Sequence, residues 1–341
     1  MNMLEGIDTA KVSAWLAARV PALTPPIDYA LIAGGHSNLT YSARDAAGHC
    51  YVIRRPPLGH VLESAHDMGR EYRVVHALRE SGVPVAATYG LCPDAAVNGA
   101  PFFVMDFVTG MVPHDDQVAA QIAPAERITL STDVIDVLAR LHKIDPGAVG
   151  LGDLGRKENY IARQLKRWAS QWEQTRTDAV PEMELALRLL GEHLPPQVGA
   201  SIVHGDYRLG NFIVAGGKIQ AVLDWELCTL GDPLADLGYL LTTWMAPAER
   251  RGDAEDNLPT TAGGFSSREA LVARYAELTG FDLQHIDYYR AFQQWRLAAI
   301  RQGVYQRYRA GVMGNTQDFD LDSYQQVIVR KAQIAVALLG G

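Results

Sequence analysis

Asp206, Asn211 and Asp224 are the residues in this 341-residue sequence whose types and spacing could do chemistry. Asp206 and Asn211 lie in His204-Gly205-Asp206-Tyr207-Arg208-Leu209-Gly210-Asn211, and Asp224 ends the apolar run Ala221-Val222-Leu223. One such oxygen donor can accept a hydroxyl proton while two others ligate a hard divalent cation. Phosphoryl transfer asks a protein for that set, because its catalysis is mostly positioning and charge neutralisation. Oxygen ligands of this kind suit Mg²⁺ better than imidazole or thiolate would. The competing reading is a loop whose Asp and Asn side chains satisfy turn backbone. That reading requires three separately spaced motifs to coincide by chance.

The stretches HGDYRLGN, LDWE and GDPLADL together resemble the aminoglycoside phosphotransferase family of kinase-like enzymes, to which choline kinases are related. Within it the chain is most similar to the kinase-like domain found in some acyl-CoA dehydrogenase proteins, of the family 10 and 11 type. The resemblance spans nearly the whole chain. It implies an α+β, protein-kinase-like bilobal fold, with an antiparallel β-sheet and helix in residues 1–108 and a mainly α-helical lobe in residues 109–341. It also implies a catalytic set of Asp206, Asn211 and Asp224, with Asp206 as base and Asn211 and Asp224 holding Mg²⁺. His204 would have a structural job and Asp236 would brace the loop. Gly205 stands where many protein kinases carry arginine.

These residues need a nucleotide-binding frame upstream of them. After a helix carrying Val12, Trp15, Leu16 and Val20, and a proline-rich break over Pro21 to Pro26, short apolar runs read as an antiparallel meander. The turn Gly34-Gly35-His36-Ser37-Asn38 offers free backbone amides at Gly34 and Gly35, and side-chain donors at Ser37 and Asn38, for phosphate. The resemblance makes Arg54 the counterpart of the phosphate-binding lysine of kinases, with its neighbour Arg55 the alternative on the opposite face. Glu71, inside a helical pattern running from Leu62 to Glu80, would partner that arginine. Met105-Asp106-Phe107-Val108 would pass the base as a hinge, its backbone making the contacts, so ATP is expected and GTP is not excluded.

From Pro124 onward the pattern is helical, with helices expected over Ile128 to Leu141, Tyr160 to Thr175, Glu182 to His193 and His285 to Arg309. Asp232 reads as the N-cap of a helix with Pro233 as its first residue. Residues Ala246 to Thr261, rich in charge, proline and small residues, read as a mobile loop. Between Tyr288 and Gln317 the sequence carries Arg290, Arg296, Arg301, Arg307 and Arg309 and no acidic residue. An anionic acceptor such as a hydroxy acid or a hydroxyacyl-coenzyme A would suit that surface, with Arg208, Trp295, Arg296 and Arg301 as candidate acceptor-binding residues. The alternative is a basic helix face paired with acids elsewhere.

Composition supports an ordinary globular protein, with 48% hydrophobic and 21% charged residues. A net charge of −8 argues against nucleic acid as a partner. Three scattered cysteines suggest neither a disulfide framework nor a zinc site. With no signal peptide and no apolar run long enough for a bilayer, a cytoplasmic protein without a membrane partner is expected. The expected function is ATP-dependent transfer of a phosphoryl group to the hydroxyl of a small molecule. The alternatives are an aminoglycoside, choline or sugar acceptor, or a non-catalytic nucleotide-binding module.

Overall fold

The structure is a computed structural model that describes residues 4–33, 38–58, 67–250, 257–312 and 320–341. Helix α1 (Thr9–Ala17) opens on Asp8, whose carboxylate caps the Lys11 N–H, and buries Val12, Trp15 and Leu16 on one face. Strands β1 (Asp28–Ala33), β2 (Leu39–Arg44), β3 (Cys50–Arg55), β4 (Thr88–Cys92) and β5 (Phe102–Asp106) form one antiparallel sheet in the order β1-β2-β3-β5-β4. Alternation sets the faces: Leu39, Tyr41 and Ala43 of β2 and Tyr51 and Ile53 of β3 join α1 in a small apolar core. Arg55 shares the face of Tyr51 and Ile53, where it donates to the carbonyl of Asn98 at 3.0 Å. Arg54 therefore points the other way, toward the catalytic loop.

Helix α2 (Met68–Leu78) packs on β4 and β5, and α3 (Ala95–Asn98) is a single turn between those strands. The expected start of α2 at Leu62 lies outside the described residues. Val74, Val75 and Leu78 of α2 belong to the larger core formed with the helical part of the chain. Burying each contributes about 1.5–3 kcal/mol, whereas the Arg73–Asp153 pair is exposed and screened by solvent. Packing thus fixes α2. Arg70 sets its register by donating to the carbonyls of Leu154 at 2.6 Å and Cys228 at 2.9 Å.

The helical part comprises α4 (Asp116–Ala119), α5 (Pro124–His142), α6 (Tyr160–Thr175), α7 (Pro181–Glu192), α8 (Leu234–Thr243), α9 (Arg268–Thr279), α10 (Ile286–Arg309) and α11 (Leu321–Leu338). Two small antiparallel pairs carry the chemistry: β6 (Ser201–Val203) with β9 (Thr229–Gly231), and β7 (Phe212–Ala215) with β8 (Lys218–Val222). Met111 and Val214 exchange backbone hydrogen bonds, joining the segment that follows β5 to β7. Helices α9 and α11 are absent from the expectations above. The stretch Ala246 to Thr261 is only partly a loop. Pro259, Thr260 and Thr261 form a buried turn, and residues 251–256 lie outside the described residues.

Candidate active site

The loop between β6 and β7 is shaped by His204 and Gly205. The Asp206 N–H donates to His204 Nδ1 at 3.2 Å, so the imidazole proton is on Nε2, which donates to the Leu223 carbonyl at 2.9 Å. His204 is fully buried against Trp225, with ring centroids 4.7 Å apart, and spans from the loop to the residue before Asp224. Gly205 has φ = 86°, and a Cβ there would stand 3.0 Å from Leu227 Cβ and 3.1 Å from its carbonyl. An arginine at this position would be strained, which explains the departure from many protein kinases.

Asp236 holds the loop from beneath. Its Oδ2 accepts from the His204 N–H at 2.6 Å and its Oδ1 from the Gly205 N–H at 2.8 Å, and His142 Nε2 lies 3.3 Å from Oδ2. Burial pushes this carboxyl up, but the bonds from His142 and the loop amides more than offset it, so its pKa lies below the ordinary value. Pro233, not Asp232, is the N-cap residue of α8; the Asp232 carboxylate accepts from the Leu234 N–H at 3.1 Å and from the Tyr289 hydroxyl at 2.7 Å. Helix α8 begins at Leu234, one residue later than expected.

Asn211 Nδ2 donates to the carboxylate of Asp206 at 2.7 Å and to its carbonyl at 2.8 Å. Leu223 N–H donates to the Asn211 carbonyl at 2.8 Å, which brings the residue before Asp224 beside Asn211. Asp224 has φ = 65°, a left-handed conformation that Asp tolerates better than most residues. Its Oδ1 accepts from Arg54 at 2.7 Å, and Arg54 Nε lies 2.9 Å from Glu71 Oε1. Arg54 thus links the helix acid to the carboxylate that ends the hairpin.

Burial drives the electrostatics here. It pushes Glu71 up to about 7, helped by Asp224 and Glu226 and opposed by Arg54. It also raises Glu226, with Asp224 adding to the rise. For Arg54 burial works against the charge, but Glu71 and Asp224 reverse that and hold the guanidinium more firmly protonated. Asn38 is buried with its amide 3.4 Å from Glu71 and 3.5 Å from Glu226. Gly34, Gly35 and Ser37 lie outside the described residues.

The donor set tests whether Mg²⁺ fits. Because Asn211 spends its side-chain amide nitrogen on Asp206, its side-chain oxygen Oδ1 is left for other partners, as a metal ligand requires. Among the described residues no group of three or more His, Cys, Asp or Glu side chains could enclose an ion. An incomplete oxygen shell suits Mg²⁺, which keeps waters and takes substrate phosphates as ligands. In the hinge, the N–H groups of Asp106 and Phe107 are engaged by the Ala87 and Cys50 carbonyls, and Tyr89 donates to the Asp106 carboxylate. Met105 pairs within the sheet with Val52 and Thr88. Val108 follows as the first hinge residue beyond these bonds.

Beside Gly205 a cleft of about 980 Å³ runs between α6 and α10. Arg70, Arg167, Arg296 and Arg307 line it, with Glu226 as its acid. Arg296 lies over the rings of Trp168 (5.4 Å) and Tyr239 (5.6 Å), with its nitrogens 3.5 Å from the Gly205 carbonyl. Arg208 Nε lies 3.5 Å from Asp206. Two expected residues are elsewhere. Trp295 is fully buried and donates to the Met183 carbonyl, a core residue and not a cleft wall. Arg301 turns to Tyr324 of α11, 5.5 Å from its ring. Arg290 and Arg309 pair with Asp287 and Asp178, so the arginine-rich helix divides between surface ion pairs and the cleft. Tyr239, which bonds Asp206, was missed, although it follows Asp236 by three residues and so shares its helix face.

The model of the phosphotransferase enzyme family matches residues 28–295. The chain belongs to that family. It is 36% identical over 294 residues to acyl-CoA dehydrogenase family member 10 of Mus musculus, covering 84% of this chain and 27% of that protein. It is 34% identical over 284 residues to family member 11 of Gallus gallus, covering 81% and 36%. The chain therefore spans roughly a third of the length of these relatives. Among solved structures, a Ralstonia eutropha protein provisionally named an aminoglycoside phosphotransferase superposes with a TM-score of 0.83 at 33% identity, covering 98% of both chains. An aminoglycoside phosphotransferase in complex with ADP and hygromycin B shares the fold at a TM-score of 0.63 and 14% identity, over 96% of this chain and 98% of that one. The protein-kinase-like α+β fold expected from the sequence is therefore the fold of this phosphotransferase. Among the described residues no helix is long and apolar enough to cross a membrane.

Proposed function

We propose that this phosphotransferase is a small-molecule kinase that moves the γ-phosphoryl group of ATP to the hydroxyl of an anionic acceptor, a hydroxy acid or hydroxyacyl-coenzyme A. The observation that carries the reaction is the pairing of Asn211 with Asp206 directly beside the Asp224–Arg54–Glu71 line. Asp206 orients the acceptor hydroxyl and takes its proton as oxygen bonds to phosphorus and the bond to ADP breaks. Asn211 and Asp224 would hold Mg²⁺, which supplies neutralisation of the phosphate charge. Arg54 grips phosphate with a planar fork in place of the point charge of a lysine, and Glu71 keeps it aimed. Arg208 and Tyr239 steady the Asp206 carboxylate from the acceptor side. In this reading residues 1–108 and 109–341 are the two lobes, and the protein works in the cytoplasm.

The arginine-lined cleft favours an anion over a polycationic aminoglycoside, since several cations around one acceptor would repel it. ADP release should be measured with hydroxy acids, their coenzyme A esters and aminoglycosides side by side. Turnover with the first two classes is expected, and turnover with the aminoglycosides alone would overturn the acceptor assignment. A non-catalytic module would show no turnover with any of them.

A further inference from the structure

Tyr275 of α9 lies far along the chain from the loop, yet its fully buried hydroxyl is 2.6 Å from His142 Nδ1. His142 is buried at the end of α5, and its Nε2 faces Asp236. A carboxylate can only accept, so Nε2 must carry a proton. The nitrogen facing Tyr275 is then free to accept, and the phenol supplies the hydrogen. Burial above all, with the nearby Asp236 and Asp232 charges, holds that phenol well above its ordinary pKa, so its O–H stays available. The backbone of His142 is fixed as well, its carbonyl accepting from Ser201 Oγ at 2.7 Å on the strand that leads into His204.

We propose that Tyr275 is a positioning residue for the catalytic loop. By donating to Nδ1 its hydroxyl reinforces the His142 tautomer that donates to Asp236, and Asp236 in turn holds the His204 and Gly205 amides on which the placement of Asp206 depends. Tyr275 touches no reacting atom in this scheme. Without its hydroxyl, the imidazole proton can move to Nδ1. Nε2 would then present a lone pair to Asp236, and the carboxylate would lose one of the bonds that orient it. Outer groups that orient functional ones commonly affect activity about 10–100-fold.

Tyr275→Phe removes the hydroxyl and little else. Long-range proton–nitrogen NMR of the resting protein should show His142, assigned by its loss in His142→Gln, protonated at Nε2 in the wild type and partly at Nδ1 in Tyr275→Phe. Amide exchange at His204 and Gly205 should quicken about tenfold in the variant. His142→Gln can accept from the phenol and donate to Asp236, so it should keep wild-type exchange, whereas His142→Leu should not. An unchanged tautomer with unchanged loop exchange in Tyr275→Phe overturns the proposal, as does equal behaviour of His142→Gln and His142→Leu. The kinetic arm rests on the phosphotransfer reading. With MgATP and a hydroxyacyl-coenzyme A, kcat should fall about tenfold while KM for ATP stays within about twofold. A wild type that transfers phosphate to no acceptor would sink that reading alone, because the tautomer and the exchange are read without substrate.

Discussion

In the proposed reaction Asp206 and Asn211 divide one stretch of chain between proton and metal, and the division makes their roles separable. Asp206→Asn preserves the shape of the side chain but removes its basicity. Acceptor-dependent kcat should fall by about 10²–10⁴-fold, the usual contribution of a general base. The thermal shift given by MgATP should persist, because Asn211, Asp224 and Arg54 are untouched; loss of the shift would make Asp206 a binding residue. Glu71 offers a pH test. Its folded pKa, raised to about 7, exceeds the ordinary value of 4.5, so the folded state holds a proton that the unfolded state releases between those values. The associated stability is present below about pH 4.5 and is lost as pH rises through about 7, a change of up to about 3 kcal/mol. Urea midpoints from pH 5 to 8 should therefore drift downward more steeply in the wild type than in Glu71→Gln, and equal slopes would refute the buried-acid assignment. That Asp206, Asn211, Asp224, Arg54 and Glu71 lie together was legible in the sequence through the local motifs and the family resemblance they carry. Tyr239 was not, because only the packing of α8 under the loop brings its hydroxyl to Asp206. Trp295 misled because successive helical residues point about 100° apart, so a cleft-facing Arg296 turns its neighbour into the core.

The short elements around the loop matter more than their length suggests. Gly205 bends β6 back toward Asp236 in a left-handed conformation, with Leu227 packed where a side chain would go. Gly205→Ala should cost about 1–3 kcal/mol through backbone strain. It should also lower kcat, since relief of the clash must shift Asp206 or the turn bearing Leu227. Calorimetry alongside kinetics checks this, and an alanine variant with wild-type kcat would show that the loop tolerates the shift. The antiparallel meander of β1, β2 and β3 and the helix α2 could be anticipated from alternation and helical spacing. Helix α9 could not, for a physical reason: only Leu271 and Tyr275 are buried, so it lacks the broad apolar stripe that reveals a surface helix. Helix α11 does carry such a stripe, through Leu321, Tyr324, Val327, Ile328 and Leu338, and the sequence reading passed over it.

At the scale of the molecule, an acidic protein concentrates cations in the cleft through which the proposed acceptor would enter. The net charge is −8, yet the cleft beside Gly205 gathers Arg70, Arg167, Arg296 and Arg307 around one acid, Glu226. The sequence showed an arginine-rich helix without showing which arginines would be spent on Asp287, one turn away in α10, and on Asp178, brought to it by the packing of the chain after α6. Arg167 and Arg307 lie on the exposed rim, Arg167 beside Trp168, and form no part of the machinery around Asp206. Reversing both, as Arg167→Glu with Arg307→Glu, should leave the fold and the KM for ATP unchanged. Two charge changes at the rim of a partly enclosed cleft should weaken an anionic acceptor by about 1–2 kcal/mol, or roughly 5–30-fold in KM. The loss should shrink as ionic strength rises, since exposed charges are screened beyond about 8 Å at physiological salt. Steady-state kinetics with a hydroxyacyl-coenzyme A at low and high salt would measure both effects. If the double reversal leaves acceptor KM and its salt dependence at wild-type values, the cleft is not where the anion binds, and the acceptor must reach Asp206 by another side of the loop.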